Sequence, residues 1–133
     1  MLRPVSPEHV DDETIEGLLI LRPEGRLFFA NVQYVSEQVN HLVTQHQPRV
    51  LVLDMSRVTD LEYSVLQALM EGEQRISARG VRVWMVGFSP DVLDVVRRSG
   101  LAEQLEDRML FNTRAAIARF QGEASSDPAL VED

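Results

Sequence analysis

The sequence of 133 residues contains no cysteine and no lysine, and each absence excludes a kind of chemistry. Without cysteine the chain cannot form a disulfide, a thiol nucleophile or a thiolate metal site. All 13 basic residues are arginines, so a Schiff-base lysine and the lysine of a P-loop are excluded as well. Any chemistry must therefore come from carboxylates, hydroxyls, imidazoles or guanidinium groups.

Long apolar runs are missing too. No stretch approaches the roughly 18 to 20 apolar residues that a membrane-spanning helix needs. Residues 1–13 lack the apolar centre of a signal peptide and carry two prolines and four acids, which predicts a flexible N-terminal lead. The Gly, Ser, Asp and Pro content of residues 122–133 predicts a disordered tail, which leaves one domain over residues 14–121.

Positive charge is scarce: 13 basic residues stand against 21 acidic ones, for a net charge of −8. A nucleic-acid partner is not expected, because its phosphates need a basic surface. Direct insertion into an anionic lipid surface is not expected either. Hydrophobic residues make up 44% of the chain, which is typical of a soluble globular domain with its own core.

Apolar runs alternate with helical patterns along the chain, and this predicts an α/β fold. Short runs at residues 50–53 and 81–86 predict buried parallel strands, and residues 109–110 predict a short edge strand. Two earlier runs, residues 15–21 and 26–30, flank a Pro-Glu-Gly turn and predict an antiparallel hairpin. The sum is a mixed, mostly parallel β-sheet of four to five strands with about four helices.

Four helices are predicted from apolar side chains that recur at spacings of three and four. Each begins at a polar cap and ends near a proline or glycine, with Gly80 and Gly100 closing the second and third. Ser64 and Gln67 have the S-x-x-Q spacing of a capping box. The helices cover residues 31–47, 64–79, 89–100 and 112–120, with caps at Asn31, Ser64, Ser89 and Asn112.

Residues 50–69 form the stretch in which a site is expected. A buried strand ends in Asp54, a polar loop follows, and a helix begins near Ser64. Open α/β sheets place their functional groups on loops at the carboxyl ends of strands. The candidate residues of this regulatory or docking loop are Asp54, Ser56, Asp60, Glu62, Tyr63 and Ser64.

The chain offers little that would support catalysis. The three histidines, His9, His41 and His46, lack the i, i+4 spacing of zinc ligands on a helix. Asp60 and Glu62 are interpreted as solvated acids of an acidic loop. Because no nucleophile, base and oxyanion donor come together in the sequence, we expect no enzymatic activity, no catalytic residue, no metal and no cofactor.

The loop and the helix after it resemble the signature of the STAS domain family. The matching residues are Asp54, Ser56, Val58, Leu61, Ser64, Leu66 and Leu69. Three further stretches, residues 20–35, 83–101 and 110–120, are similar to the SulP anion-transporter branch of that family. The resemblance implies a STAS (SpoIIAA-like) fold.

For function, the resemblance implies a cytoplasmic C-terminal domain that regulates and helps to assemble a SulP-family sulfate or other anion transporter. Its partners would be the transmembrane domain of the same chain, the second protomer of a transporter dimer and a cytosolic regulatory protein. The domain would lie at the cytoplasmic face of the bacterial inner membrane. Resemblance to some STAS domains also implies nucleotide binding, but the chain has no glycine-rich loop and no lysine to support it.

The alternative is a stand-alone anti-sigma factor antagonist that is switched by serine phosphorylation. In such antagonists the phosphate acceptor is the serine or threonine directly after the second acid of the loop. Here that position is Tyr63, the acid before it is Glu62, and the family glycine is Val65. Ser64 remains as a helix cap or a candidate phosphorylation site.

Overall fold

The described part of the chain, residues 2–4 and 15–126 of a computed structural model, forms two β-sheets and five α-helices. The strands are β1 (Leu2–Pro4), β2 (Leu18–Pro23), β3 (Gly25–Leu27), β4 (Val50–Asp54), β5 (Val58–Leu61), β6 (Arg82–Val86) and β7 (Met109–Leu110). The helices are α1 (Phe29–His46), α2 (Leu66–Ala78), α3 (Pro90–Arg97), α4 (Gly100–Leu105) and α5 (Thr113–Ser126). Single 3₁₀ turns, Tyr63–Val65 and Glu106–Arg108, precede α2 and β7.

The main sheet has the strand order β1-β2-β4-β6-β7. Strands β2, β4, β6 and β7 run parallel, and β1 is antiparallel to β2. The prediction of a mixed, mostly parallel sheet is therefore confirmed. Parallel pairing brings the carboxyl ends of four strands to one edge, which positions the loops of the candidate site.

The predicted hairpin between residues 15–21 and 26–30 is wrong. Strand β2 pairs with β1 and β4, whereas β3 leaves the main sheet and pairs in parallel with β5. Gly25, at a φ of +89°, redirects the chain, and its N–H donates to the carbonyl of Arg57 at 2.9 Å. Leu27 is then buried beneath the loop. The turn residues mark a change of direction but do not specify which strand comes next to β3.

Strand β1 lies within the segment that was predicted to be a flexible lead. Leu2 pairs with Pro23 and Pro4 with Leu21 along the edge of the main sheet. The rest of that segment lies outside the described residues, as do residues 127–133 of the predicted tail. Helix α5 continues to Ser126, beyond the end predicted for the last helix.

Side chains alternate across the main sheet and build one core on each face. Leu51, Leu53 and Val83 face the side that is covered by α1, α2, α3 and α4. Val52 and Trp84 face the opposite side, which is covered by α5. This alternation with period two produces a sheet that is apolar on both faces, as expected for parallel strands between helices.

Trp84 occupies the centre of the α5 face and is fully buried. The guanidinium carbons of Arg82 and Arg119 lie 5.3 and 4.8 Å from its ring centre. Both arginines also bind the carboxylate of Glu123, at 2.8 and 3.2 Å. The indole Nε1 has no hydrogen-bond partner in the described part of the chain.

Some predicted helix ends need correction. Asn31 is the third residue of α1, where its Oδ1 accepts the N–H of Phe28 at 3.0 Å; it does not precede the helix. Gly100 is the first residue of α4, because the Ser99 hydroxyl accepts the N–H of Leu101 at 3.2 Å and starts a new helix there. Ser89 caps α3 as predicted.

Asn112 caps α5 as predicted, with its Oδ1 accepting the N–H of Ala115 at 2.9 Å. Within residues 2–4 and 15–126, none of the helices combines the length and the apolar character that a bilayer crossing requires.

Candidate functional site at the carboxyl edge of the sheet

Asp54, the last residue of β4, is the centre of the carboxyl edge. Its carboxylate is 5% exposed and accepts three hydrogen bonds from separate elements. Oδ2 accepts from Arg22 Nε at 3.0 Å and from Thr113 Oγ1 at 2.8 Å. Oδ1 accepts from the backbone N–H of Ser56 at 2.9 Å. One side chain therefore joins the end of β2, the start of α5 and its own loop.

The electrostatics of Asp54 favour the ionised carboxylate. Burial by itself raises the pKa of Asp54, but the hydrogen bonds from Ser56, Thr113 and Arg22 outweigh it. The pKa of Asp54 therefore lies below its ordinary value, since each donor stabilises the charged form. Because its oxygens are occupied and its proton affinity is low, Asp54 organises the structure and is poorly suited to accept a proton from a substrate.

Gly87 follows β6 and closes the same edge. It has a φ of +77°, a conformation in which glycine is favoured. A Cβ at this position would lie 3.1 Å from Asp54 Oδ1 and 3.2 Å from Ser56 Cβ. A side chain at residue 87 would therefore crowd the Asp54 carboxylate and Ser56, in addition to straining the backbone.

Asp60 and Glu62, at the end of β5, both pair with Arg26. Arg26 Nε lies 3.3 Å from Asp60 Oδ2, and Arg26 Nη2 lies 3.1 Å from Glu62 Oε2. The Asp60 side chain is 62% exposed, so this pair is solvated and weak. The interpretation of Asp60 and Glu62 as surface acids agrees with this exposure.

Ser64 does not cap α2, and the predicted capping box is wrong. Its hydroxyl donates to Glu62 Oε1 at 3.1 Å, and Gln67 Nε2 donates to Glu71 at 3.1 Å. Ser64 lies inside a 3₁₀ turn, Tyr63–Val65, which is closed by the Val65 N–H on the Glu62 carbonyl at 3.0 Å and directly precedes α2. That turn moves the helix start two residues along, so the Ser64 hydroxyl is left at the surface.

Tyr63 and Val65 face opposite ways from the same turn. Tyr63 is 65% exposed, whereas Val65 is 1% exposed and belongs to the core beneath α1 and α2. A helical turn places neighbouring residues on different sides, so burial of Val65 fixes Tyr63 outward. The loop therefore presents the aromatic ring of Tyr63 next to the exposed hydroxyl of Ser64.

An open groove of about 590 Å³ runs between the carboxyl edge and one face of α5, and we call it the carboxyl-edge groove. Its volume lies within the range of small-molecule sites, roughly 300–1,000 Å³. Its walls are formed by Arg22, Asp54, Ser56, Gly87, Asn112, Thr113, Arg114, Ile117, Ala118 and Gln121.

The structure divides the predicted site residues into two groups. Asp54 and Ser56 line the carboxyl-edge groove, whereas Asp60, Glu62 and Ser64 cluster near Arg26 and do not line it. The other groups around Asp54, namely Arg22, Gly87 and Thr113, were not predicted from the sequence. Arg22 is the penultimate residue of β2, Gly87 follows β6 and Thr113 begins α5. A position near the end of a strand or the start of a helix is the only signal that the sequence carries for them.

His41 and His46 belong neither to the residues around Asp54 nor to those near Arg26. His41 and His46 are exposed on α1, and His9 lies outside the described residues.

Sequence comparison gives the family. The chain matches the STAS domain model over residues 9–117, and it belongs to the STAS domain family. It is 28% identical over 119 residues to high affinity sulfate transporter 2 of Stylosanthes hamata. That match covers 81% of this chain but 18% of the transporter, so the chain spans less than a fifth of this relative. The predicted recognition, a STAS domain related to sulfate transporters, is confirmed.

Solved structures support the same fold. The STAS domain of a SulP transporter from Vibrio cholerae superposes with a TM-score of 0.73 at 21% identity, covering 86% of this chain and 88% of that one. The unphosphorylated anti-sigma factor antagonist SpoIIAA superposes with a TM-score of 0.68 at 17% identity, covering 92% and 97%. Both confirm the predicted STAS (SpoIIAA-like) fold, and at these identities they show the fold alone.

Proposed function

We propose that this chain is a non-catalytic regulatory and assembly domain of a SulP-family sulfate or other anion transporter. The observation that carries the proposal is the sequence match to a sulfate transporter, which takes in 81% of this chain and 18% of the transporter. A domain of this size would leave the transport path in another part of the protein. It would lie at the cytoplasmic face of the membrane. There it would contribute contacts with the rest of the transporter and not ligands for the transported anion.

The loop after β4 supports a docking role. Tyr63 is 65% exposed, and exposed tyrosines are frequent anchors of protein interfaces because they bury a large ring and keep a hydroxyl for hydrogen bonding. Asp60 and Glu62 form an acidic rim beside it. We propose that this surface contacts the transmembrane domain, the second protomer of a transporter dimer or a cytosolic regulatory protein. The saturated hydrogen bonds of Asp54 support the non-catalytic part of the proposal.

The proposal is tested by sulfate uptake in cells that lack their own sulfate transporter. The complete transporter gene that carries this chain would be compared with a deletion of residues 15–126, with Tyr63→Ala, and with His41→Ala as a control at an exposed position on α1. We expect the deletion to reduce uptake strongly, Tyr63→Ala to reduce it in part, and His41→Ala to leave it unchanged. Full uptake by the deletion, or a reading frame with no transporter within or beside it, would contradict the proposal.

The second candidate function is a stand-alone anti-sigma factor antagonist, and the exposed Ser64 hydroxyl favours it. Because Ser64 is not a helix cap, a phosphate there would cost no capping bond. It would add up to about two negative charges beside Asp60 and Glu62 and so change the charge of a partner surface. Tyr63, which occupies the usual acceptor position, argues against this candidate.

Phosphate transfer distinguishes the two candidates. The purified chain would be incubated with an anti-sigma kinase and ATP, together with Ser64→Ala and a Ser36→Ala control on α1. Incorporation into the parent and the control but not into Ser64→Ala would support the antagonist. No incorporation into the parent chain would exclude phosphorylation by that kinase and favour the transporter reading.

A further inference from the structure

We infer that the carboxyl-edge groove binds a small organic anion by its oxyanion head group, a carboxylate, sulfate or phosphate. Arg114 and Arg22 are the residues that would hold the head group. The inference concerns this domain alone, so it goes beyond the transporter role and does not depend on it.

The first observation is an arginine without a partner. Arg114 is exposed on the wall of the groove and makes no ion pair, hydrogen bond or ring contact within residues 15–126. The neighbouring arginine of α5, Arg119, is by contrast paired with Glu123 and Asp107. In a chain with a net charge of −8, an unpaired guanidinium on the wall of a large groove is a ready partner for an anion.

The second observation is the unused donor capacity of Arg22. Its side chain is 19% exposed and binds Asp54 through Nε alone. The two terminal nitrogens of Arg22 have no partner in the part of the chain that the structure describes, and arginine uses these nitrogens to bind oxyanions. Arg22 is thus held in place by one bond and can donate others.

Asp54 is the single carboxylate among the residues that line the groove, and its electrostatic repulsion of a bound anion is weakened by its own partners. Asp54 is 5% exposed, its oxygens accept from three donors, and Arg22 balances its charge. Asn112 adds an amide whose oxygen is used by the cap of α5, which leaves its N–H groups as donors. The groups that remain free in the groove are therefore mainly donors and carry a net positive charge from Arg114.

The remaining wall indicates the rest of the ligand. Ile117 and Ala118 lie along the groove, one helical turn beyond Arg114 on the same face of α5. The groove, at about 590 Å³, is much larger than an inorganic anion requires. A charged head group with a small apolar part therefore fits the site better than a bare ion does.

The test is an NMR titration of the ¹⁵N-labelled 133-residue chain at constant ionic strength, which sodium chloride maintains. The probes are sodium sulfate, sodium phosphate, phenyl phosphate and, as the uncharged counterpart, phenol. We expect saturable shifts of the amides of Ser56, Gly87 and Thr113 with the anions, tightest for phenyl phosphate, and no saturable shift with phenol. If none of the three anions shifts these amides to saturation, or if phenol does so equally well, the inference fails.

Two matched variants locate the binding group. Arg114→Gln removes a guanidinium that has no ion pair, hydrogen bond or ring contact within the described residues, so the fold should be kept, and we expect it to weaken phenyl phosphate binding about tenfold. Arg97→Gln, at an exposed residue of α3 on the other face of the sheet, is the control and should bind like the parent. Unchanged binding by Arg114→Gln, or equal losses in both variants, would overturn the assignment to the groove.

Discussion

At the scale of single residues, Asp54 has the most far-reaching effect on the carboxyl edge. Its three donors, Arg22, Ser56 and Thr113, lie up to 59 residues from Asp54 along the chain. Truncation of one member of a buried charged network leaves the others without partners, and this costs more than the bond itself contributes. The residue is therefore important for the stability of the folded chain.

We predict that Asp54→Asn lowers the free energy of unfolding by about 2 kcal/mol or more, because the mostly buried Arg22 guanidinium loses its counter-ion. Urea denaturation at neutral pH measures the change. Asp60→Asn is the matched control, since its pair with Arg26 is solvated, and it should change stability by less than about 0.5 kcal/mol. Equal effects of the two substitutions would show that burial of the Asp54 network contributes nothing to the free energy of unfolding.

The residue scale also shows what the sequence could not reveal about the site. Asp54 and Ser56 were predictable, because a polar pair directly follows a buried apolar run. Arg22 and Thr113 were not, since their contact with Asp54 depends on which strands are neighbours and where α5 begins. The Ser64 cap was wrong because the S-x-x-Q spacing is the same whether a helix or a 3₁₀ turn comes first.

At the scale of elements, the connection from α4 to β7 is held by a buried polar cluster. Glu73 of α2 is 5% exposed and binds Arg108 at 2.6 Å and Ser77 at 2.7 Å. Arg108 also donates to the carbonyls of Gln104 and Leu105, at 2.6 and 3.2 Å. These bonds fix the chain after α4, where Glu106 has φ 53° and ψ −119°, a conformation that glycine adopts much more readily than residues with a side chain.

We predict that Glu106→Gly stabilises the domain by about 1 kcal/mol, because glycine adopts this conformation without strain. Thermal or urea unfolding of the purified variant measures the gain. Gln47→Gly is the control: Gln47 has φ 49° and ψ 55°, in the left-handed helical region that side chains tolerate better, and its gain should be smaller. A loss of stability in Glu106→Gly would show that position 106 is not strained.

Elements also differ in how far the sequence specifies them. The order of strands and helices followed from the alternation of apolar runs and stripes. In α1 the buried stripe is formed by Val32, Val35, Val39 and Val43, which recur at spacings of three and four. The hairpin prediction was wrong because β3 is only three residues long and 30 residues separate it from its partner β5. Turn residues specify only the local direction of the chain and not a pairing over this distance. Long-range pairing of short strands is decided by the packed core and not by local sequence.

At the scale of the whole molecule, buried carboxylates make stability depend on pH. Burial raises the pKa of Glu73, but hydrogen bonds from Ser77, Arg108 and Gln104 outweigh it, and its pKa in the folded chain lies below the ordinary value of 4.5. The pKa of Asp54 is likewise below its ordinary value of 3.8. The unfolded chain therefore binds protons first as the pH falls, which favours unfolding.

We predict that stability is constant above about pH 5.5 and falls as the pH drops through the ordinary values of these two carboxyls and below. Urea midpoints measured between neutral pH and pH 3 test this. A double variant, Asp54→Asn with Glu73→Gln, should be less stable at neutral pH but should lose less on acidification than the parent. If the double variant loses as much stability on acidification as the parent, or more, other carboxyls set the pH dependence.

The position of Trp84 has a practical consequence for following this domain in solution. It is the chain's only tryptophan, so all indole emission comes from one buried ring between the main sheet and α5. The neighbouring arginine Arg119 belongs to α5 itself, so loosening of that helix would bring water to the ring and move its fluorescence to longer wavelength. The native chain thus carries its own optical reporter of α5, one wall of the carboxyl-edge groove, without any added label.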